Sequence, residues 1–223
     1  MPKYAHSGSV ANSTAPGQAI RAERLSLQAQ IASLEEQLEY RRRERGDKDE
    51  RHGAHAGAQE LDSRLARLME RYETLEILDV AASRLESVPG REAAIQVVLE
   101  IVAAMIGSEE VALYESAAAG EELRLAACCG VQPPERIAFA TGLIGQTART
   151  CHEYFAPPPA SGHGEANENR ISVCIPLLQE GSAPWVLVIY ALLPQKQFLE
   201  KRDIEILRFL KDHATAALGR KTE

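Results

Sequence analysis

Residues 141–148 are Thr-Gly-Leu-Ile-Gly-Gln-Thr-Ala, and this stretch decides how the rest of the chain is interpreted. Its two glycines are typical of a tight turn from a strand into a helix, which we predict over residues 142–150. Directly upstream, residues 122–129 alternate apolar and polar side chains, which indicates a half-buried strand. The pattern around residue 142 is therefore that of a small mixed α/β domain.

The segment that follows extends this domain. A short strand is predicted over residues 152–155, followed by a long polar loop over 156–169, which is a length usual for mobile or functional loops. Two apolar strands are predicted over residues 171–178 and 185–191. Residues 186–189, Val-Leu-Val-Ile, show no alternation, as expected of a strand covered on both faces.

Amphipathic helices bracket the predicted strands. Residues 91–106 place five apolar side chains on one helical face, and Gly107 follows as a stop signal. A short strand is predicted over residues 111–114, and a closing helix from residue 198 to about 219. We expect the folded domain to span residues 89–220.

The N-terminal part has a different character. Residues 1–17 are mainly Ser, Ala, Pro and Gly, and we predict a disordered tail because such a segment cannot bury enough apolar surface to fold. A coiled-coil helix is predicted over 18–45, a glycine-rich hinge over 46–59, and a second coiled-coil helix over 60–88 that leads into the domain.

Apolar residues in both helices recur at coiled-coil spacing, and we call them the seam residues. They are Leu27, Ile31, Leu34 and Leu38 in the first helix and Leu61, Leu65, Leu68, Tyr72 and Leu75 in the second. Burial of each leucine stabilises the protein by about 1.5–3 kcal/mol. We therefore do not expect an isolated helix that leaves these side chains exposed to solvent. We expect the second helix to pair with its copy in another chain or to pack on the domain. Whether the coiled coil is parallel or folds back at residues 46–59 stays open.

Composition excludes several functional classes. The chain has 223 residues, 45% hydrophobic content, a formal net charge of -7 and a pI of about 5.5, which disfavour a general nucleic-acid binder. No apolar run approaches the ~20 residues of a membrane span, and the N-terminus lacks a signal-peptide core, so we expect a cytoplasmic protein. The four cysteines lack metal-ligand spacing and are expected to be free thiols. We expect no metal and no cofactor.

Four motifs in this order resemble the GAF domain of bacterial signalling proteins over about residues 75–218. They are the glycine-led helix start at 141–148, the strand ending in Pro-Leu at 173–177, the Val-Leu-Val-Ile-Tyr-Ala strand at 186–191, and the Phe-x-x-x-x-Asp pattern of Phe198 and Asp203. The resemblance implies an α+β fold whose antiparallel sheet has five or six strands. Terminal helices, through which such domains often dimerise, would cover one face, and a ligand pocket would lie on the other face under the 142–150 helix and the 156–169 loop. Trp185 departs from the family, which usually has a glycine there.

The predicted ligand site is at the start of that helix. Free N–H groups and the positive end of the helix dipole suit an anion such as a phosphate or carboxylate. The candidate ligand-binding residues are Thr141, Gly142, Leu143, Ile144 and Cys174. The alternative is purely structural, because Gly142 and Gly145 also suit a tight turn.

Two cysteine patterns suggest other chemistry. Cys151-His152 is similar to the pair that carries a bilin chromophore in phytochrome-like GAF domains, although a chance pairing is the preferred interpretation. Several cysteines in a short GAF protein also resemble the free methionine sulfoxide reductases. Where that family has its thiols, this chain has Gly145 and Glu165, the latter two residues beyond His163. We therefore predict no catalytic residue.

The sequence favours a non-enzymatic regulatory module, a dimeric coiled-coil GAF protein that relays a signal through protein contact, with room for a small ligand. The expected partners are a second copy of the chain and an unidentified signalling protein. We expect the chain to bind neither nucleic acid nor a membrane. One alternative is a sensor of a cyclic nucleotide or another anion. The other is a GAF-type thiol enzyme.

Overall fold

The computed structural model describes residues 15–45, 53–117, 121–139, 141–157, 171–180 and 182–220. Most of the predicted tail, residues 46–52 of the predicted hinge and most of the 156–169 loop lie outside these residues. The chain divides into two compact units, Met1–Glu76 and Ile77–Glu223. This division falls upstream of residue 89, where we placed the start of the domain, and the predicted domain bounds otherwise stay predictions.

The first unit is built from two long helices, α1 (Pro16–Arg45) and the larger part of α2 (Gly53–Ser87). Helix α1 starts inside the predicted tail because the fixed φ of proline suits a first helical turn. Helix α2 starts at Gly53, so residues 53–59 of the predicted hinge are helical. Glycine costs about 1 kcal/mol in a helix interior, but Gly53 is the first residue of α2 and the alanines that follow it favour a helix.

The second unit contains one antiparallel sheet of six strands in the order β3-β2-β1-β6-β5-β4. The strands are β1 (Glu110–Ser116), β2 (Glu122–Cys129), β3 (Arg136–Ala138), β4 (Tyr154–Phe155), β5 (Val173–Gln179) and β6 (Ser182–Ala191). The predicted α+β fold with a GAF-like sheet of five or six strands is confirmed. Strand β3 was not predicted, and β6 begins three residues before the predicted strand.

Helices cover both faces of this sheet. One face packs against α3 (Arg91–Ile101), which continues as a single π-helical turn over Val102–Ile106, and against α5 (Lys201–Leu218). The other face packs against α4 (Gly142–Thr150). Every residue of β6 from Trp185 to Ala191 is buried, which explains the uninterrupted apolar run in its sequence.

Trp185, the departure from the GAF pattern, has a specific environment. Its side chain is buried, and the guanidinium carbon of Arg91 lies 4.8 Å from the ring centroid. The same guanidinium donates two hydrogen bonds to the Glu115 carboxylate, at 2.7 and 2.5 Å. Hydrogen bonding to Glu115 raises the pKa of Arg91. Cation–π stacking and a bidentate ion pair therefore accommodate the large side chain.

Candidate functional site

The predicted ligand site is at the start of α4, and a cluster of buried residues lies where this helix packs on the sheet. We call it the α4-side cluster; it comprises Ala112, Tyr114, Leu123, Ile144, Ala148, Ile171, Cys174, Val186, Val188 and Tyr190. Ile144 and Ala148 are one turn apart on α4, so both face the sheet. The members from β1 and β6 occupy alternate positions, as expected for side chains that share a sheet face, and Leu123 and Cys174 come from β2 and β5.

Two tyrosines give the cluster its bulk. Tyr114 is fully buried and Tyr190 is 1% exposed. The Tyr114 hydroxyl donates a hydrogen bond to the carbonyl oxygen of Pro134, at 3.0 Å, so its one polar group has a partner. Burial, reinforced by Tyr190, raises the pKa of Tyr114 well above its ordinary value. Tyr114 therefore remains a neutral phenol that fills space.

The five predicted ligand residues divide into two groups. Thr141 is exposed, and Gly142 and Leu143 are half-buried at the start of α4. Ile144 and Cys174 are 3% and 0% exposed and lie together in the α4-side cluster. These two side chains pack against other members of the cluster, and ligand binding by any of the five residues stays a prediction.

Backbone geometry accounts for both glycines. Gly142 has a φ of +64°, in the left-handed region that glycine adopts without strain. A Cβ on Gly145 would lie 2.3 Å from the carbonyl oxygen of Ala138, so only glycine lets α4 approach the end of β3 this closely. The turn itself therefore requires both residues.

The four cysteines occupy separate environments. Cys128 and Cys129 are exposed at the end of β2, and Cys174 is buried. Cys151 caps the C-terminal end of α4 with a left-handed φ of 56° and is half-buried. The next residue, His152, is exposed, and its Nδ1 lies 2.7 Å from the carbonyl oxygen of Thr150. His163 and Glu165 lie outside the described residues.

The seam residues meet a helix of their own chain. Arg24, early in α1, donates hydrogen bonds to the Tyr72 hydroxyl at 3.4 Å and to the Glu76 carboxylate at 3.0 Å, while Arg71 donates one to Glu23 at 3.0 Å. The start of α1 therefore lies beside the later part of α2, so the two helices form an antiparallel hairpin.

This hairpin corrects the expectation that the stripes require a second chain or the following domain. Residues 46–52 connect two stripes that pack on each other. The buried seam residues are Leu27, Leu34, Leu38 and Leu75, and the half-buried ones are Ile31, Leu61, Leu65, Leu68 and Tyr72. Additional pairing with another chain stays a prediction.

The hairpin carries a groove of about 490 Å³ that the sequence did not indicate. We call it the acidic groove; it is lined by Gln28, Ile31, Ala32, Glu35, Met69, Tyr72, Glu73 and Glu76.

The described part of the chain contains neither a cluster of metal-binding side chains nor a helix suited to a membrane. None of its His, Cys, Asp and Glu side chains form a group of three or more that could hold a metal ion. None of its helices combines the length and apolar character needed to cross a membrane.

Comparison with solved structures identifies the fold. The GAF domain of a phosphoenolpyruvate-protein phosphotransferase from Coxiella burnetii has a TM-score of 0.53 and 19% identity, and the match covers 65% of this chain and 92% of that one. The corresponding Acinetobacter domain has a TM-score of 0.53 and 14% identity, covering 66% and 92%.

An enzyme has the same fold. Free methionine-R-sulfoxide reductase from Neisseria meningitidis, solved with its substrate, has a TM-score of 0.50 and 18% identity over 65% of this chain and 86% of that one. No family model and no curated protein matches the sequence. Structural similarity at such low sequence identity establishes the fold alone. The six-stranded sheet with helices on both faces therefore has the GAF fold.

Proposed function

We propose that this chain is a non-enzymatic regulatory module that acts through contact with other proteins. The observation that carries the proposal is the α4-side cluster, in which the chain's own side chains pack beneath α4, the helix under which the resemblance puts a ligand. In this proposal the GAF-fold domain is a stable scaffold, and exposed surfaces make the functional contacts.

A ligand beneath α4 would have to displace well-packed side chains. Pockets for small molecules typically enclose about 300–1,000 Å³. Creating that space would expose or move Ile144, Cys174 and Tyr190, and removal of a buried apolar side chain costs about 2–5 kcal/mol. A sensor of a cyclic nucleotide or other anion would have to offset this cost, which favours the regulatory module.

The placement of Cys128, Cys129 and Cys174 also favours the regulatory module over a thiol enzyme. A nucleophilic thiol works from an electropositive, partly exposed site beside a substrate pocket. Cys174 is enclosed in the α4-side cluster, and the exposed Cys128 and Cys129 lie at a strand end.

Self-association is part of the proposal. Leu61, Leu65 and Leu68 remain half-buried in the hairpin, so a second copy can bury more of their surface. Light scattering on protein at micromolar concentration should show a dimer. A monomer under these conditions would contradict the proposed self-association. It would not contradict the proposed contact with a different partner protein.

Thermal melting tests whether the domain is a ligand sensor. We expect cyclic AMP, cyclic GMP and free methionine sulfoxide to leave the melting temperature unchanged. A ligand at a hundred times its Kd would stabilise the protein by about 2.7 kcal/mol. Such stabilisation would show that the domain is a ligand sensor. Reduction of methionine sulfoxide in the presence of dithiothreitol would show that it is an enzyme. Either result would overturn that part of the proposal.

A further inference from the structure

We propose that the acidic groove of the helical hairpin binds a basic amphipathic helix of a partner protein. The inference rests on the proposed function, because it names the surface and the chemistry of one protein contact. All residues that line the groove belong to the first compact unit.

The floor of the groove is apolar and accessible. Ile31 and Tyr72 are half-buried between the helices, and Met69 is 45% exposed beside them. Methionine has a flexible, polarisable side chain that adapts to the shape of an incoming apolar group. This floor can therefore receive the apolar side chain of a docked helix.

The rim of the groove is acidic. Its charged residues are Glu35, Glu73 and Glu76, and none of the lining residues is basic. Glu76 pairs with Arg24 at 3.0 Å. Among the described residues, Glu35 and Glu73 have no ion-pair partner, so two carboxylates remain for cations from outside.

One side of the groove is held in place by the protein itself. The guanidinium of Arg24 lies 5.3 Å from the centroid of the Tyr72 ring and also bonds to Glu76. Because both lining residues are fixed before a partner arrives, less conformational entropy is lost on binding.

The length of the groove suits a short helical segment. The lining residues span 28–35 of α1 and 69–76 of α2, about 11 Å at a rise of about 1.5 Å per residue. That distance corresponds to about two turns of a docked helix. Apolar anchors spaced three or four residues apart would face the floor, with Lys or Arg beside the rim.

Charge disfavours the other occupants. In a two-fold contact between copies, Glu35, Glu73 and Glu76 of each chain would face the same acidic surface. Nucleic acid and anionic lipid carry phosphates, which the carboxylates would repel. The whole chain has a net charge of -7, so its own surface is a poor source of the required cations.

Fluorescence anisotropy with the full-length protein tests the groove. The probe is a labelled helical peptide of 14 residues, containing only leucine on one face and lysine on the other. We expect Glu35→Lys with Glu73→Lys to weaken binding at least tenfold. The matched control is Glu121→Lys with Glu135→Lys, two exposed acids of the second unit that change the net charge equally, and it should weaken binding less than threefold.

A floor variant separates docking from charge attraction alone. Met69→Ser keeps the net charge, and we expect it to weaken peptide binding about fivefold while circular dichroism confirms an unchanged helix content. Equal losses for the two charge-reversal pairs, or no loss for Met69→Ser, would overturn the proposal. Conversion of a dimer to a monomer by Glu35→Lys with Glu73→Lys would also overturn it, because the groove would then bind a second copy.

Failure of the groove inference can be distinguished from failure of the proposed function. Absence of groove-dependent peptide binding, together with unchanged melting in cyclic nucleotides, would remove this inference and leave a regulatory module that uses another surface. Stabilisation by a cyclic nucleotide would remove the non-sensing function without changing the peptide result.

Discussion

The helical hairpin and the sheet domain bury the same kinds of side chain to different extents. In the sheet domain, Ile144 is 3% exposed and Cys174 is fully buried, because a helix layer covers each sheet face. In the hairpin, Ile31 is only half-buried and Met69 is 45% exposed, since two helices cannot cover each other's flanks. Apolar surface that remains exposed in the hairpin is therefore available for binding. In the sheet domain the same kind of surface is buried and stabilises the fold.

The largest expected effect comes from one substitution made in each region. Ile144→Ala should lower the free energy of unfolding by about 2–5 kcal/mol, because it leaves a cavity in a packed cluster. Ile31→Ala should cost only about 1 kcal/mol, since its side chain is already partly in water. Urea unfolding of both variants, followed by circular dichroism, measures the difference. Equal costs would show that the hairpin seam is as tightly packed as the domain.

The sheet domain could be predicted from its sequence because its patterns are local. Alternation in residues 122–129 and the continuous apolar run at 186–189 predicted strands that the structure contains. Strand β3 has only three residues, too few to show a period. The make-up of the α4-side cluster could not be predicted, because it depends on which distant strands bring Tyr114 and Tyr190 together beneath α4.

The helical stripes illustrate the opposite case. A leucine at every third or fourth position predicts that a helix has a partner, but it does not specify which helix that partner is. Ion pairs such as Arg71 with Glu23 identify α1 as the partner of α2, and they join residues about 48 positions apart. The acidic groove follows from that pairing, so it was likewise beyond the sequence analysis.

The next largest effect compares an ion pair in each region. Asp203 is fully buried and lies 2.7 Å from Lys196, and its carboxylate also accepts a hydrogen bond from the backbone N–H of Glu200 at 2.7 Å. Asp203→Ala should cost about 3 kcal/mol, because it leaves the largely buried Lys196 ammonium without its carboxylate partner and removes half of the capping box of α5.

The matched change in the hairpin is Glu60→Ala. Glu60 pairs with Arg67 at 3.5 Å, but their side chains are 76% and 67% exposed. Its loss should cost less than about 0.5 kcal/mol because water already solvates both groups. Denaturant unfolding of the two variants checks the order, and a larger cost for Glu60→Ala would contradict the proposed difference between the regions.

The last prediction concerns Glu153, which receives hydrogen bonds from Lys211 and Arg208, each at 2.9 Å. Burial acts to raise the pKa of Glu153, but these two bonds, with the charges that make them, outweigh it and lower the pKa below its ordinary value of 4.5. A carboxyl with a lowered folded-state pKa stabilises the protein above the unfolded-state value, and that stability is lost as the pH falls through the folded-state value.

Glu153→Gln should therefore lower the free energy of unfolding by about 1 kcal/mol at pH 7, and the difference from the unchanged protein should shrink as the pH falls below 4.5. Urea titrations at several pH values measure that difference. Glu135→Gln is the control, because that exposed residue makes no side-chain ion pair among the described residues and should show little difference at any pH. A Glu153 deficit that did not change with pH would mean that packing, rather than charge, holds α5 at this position.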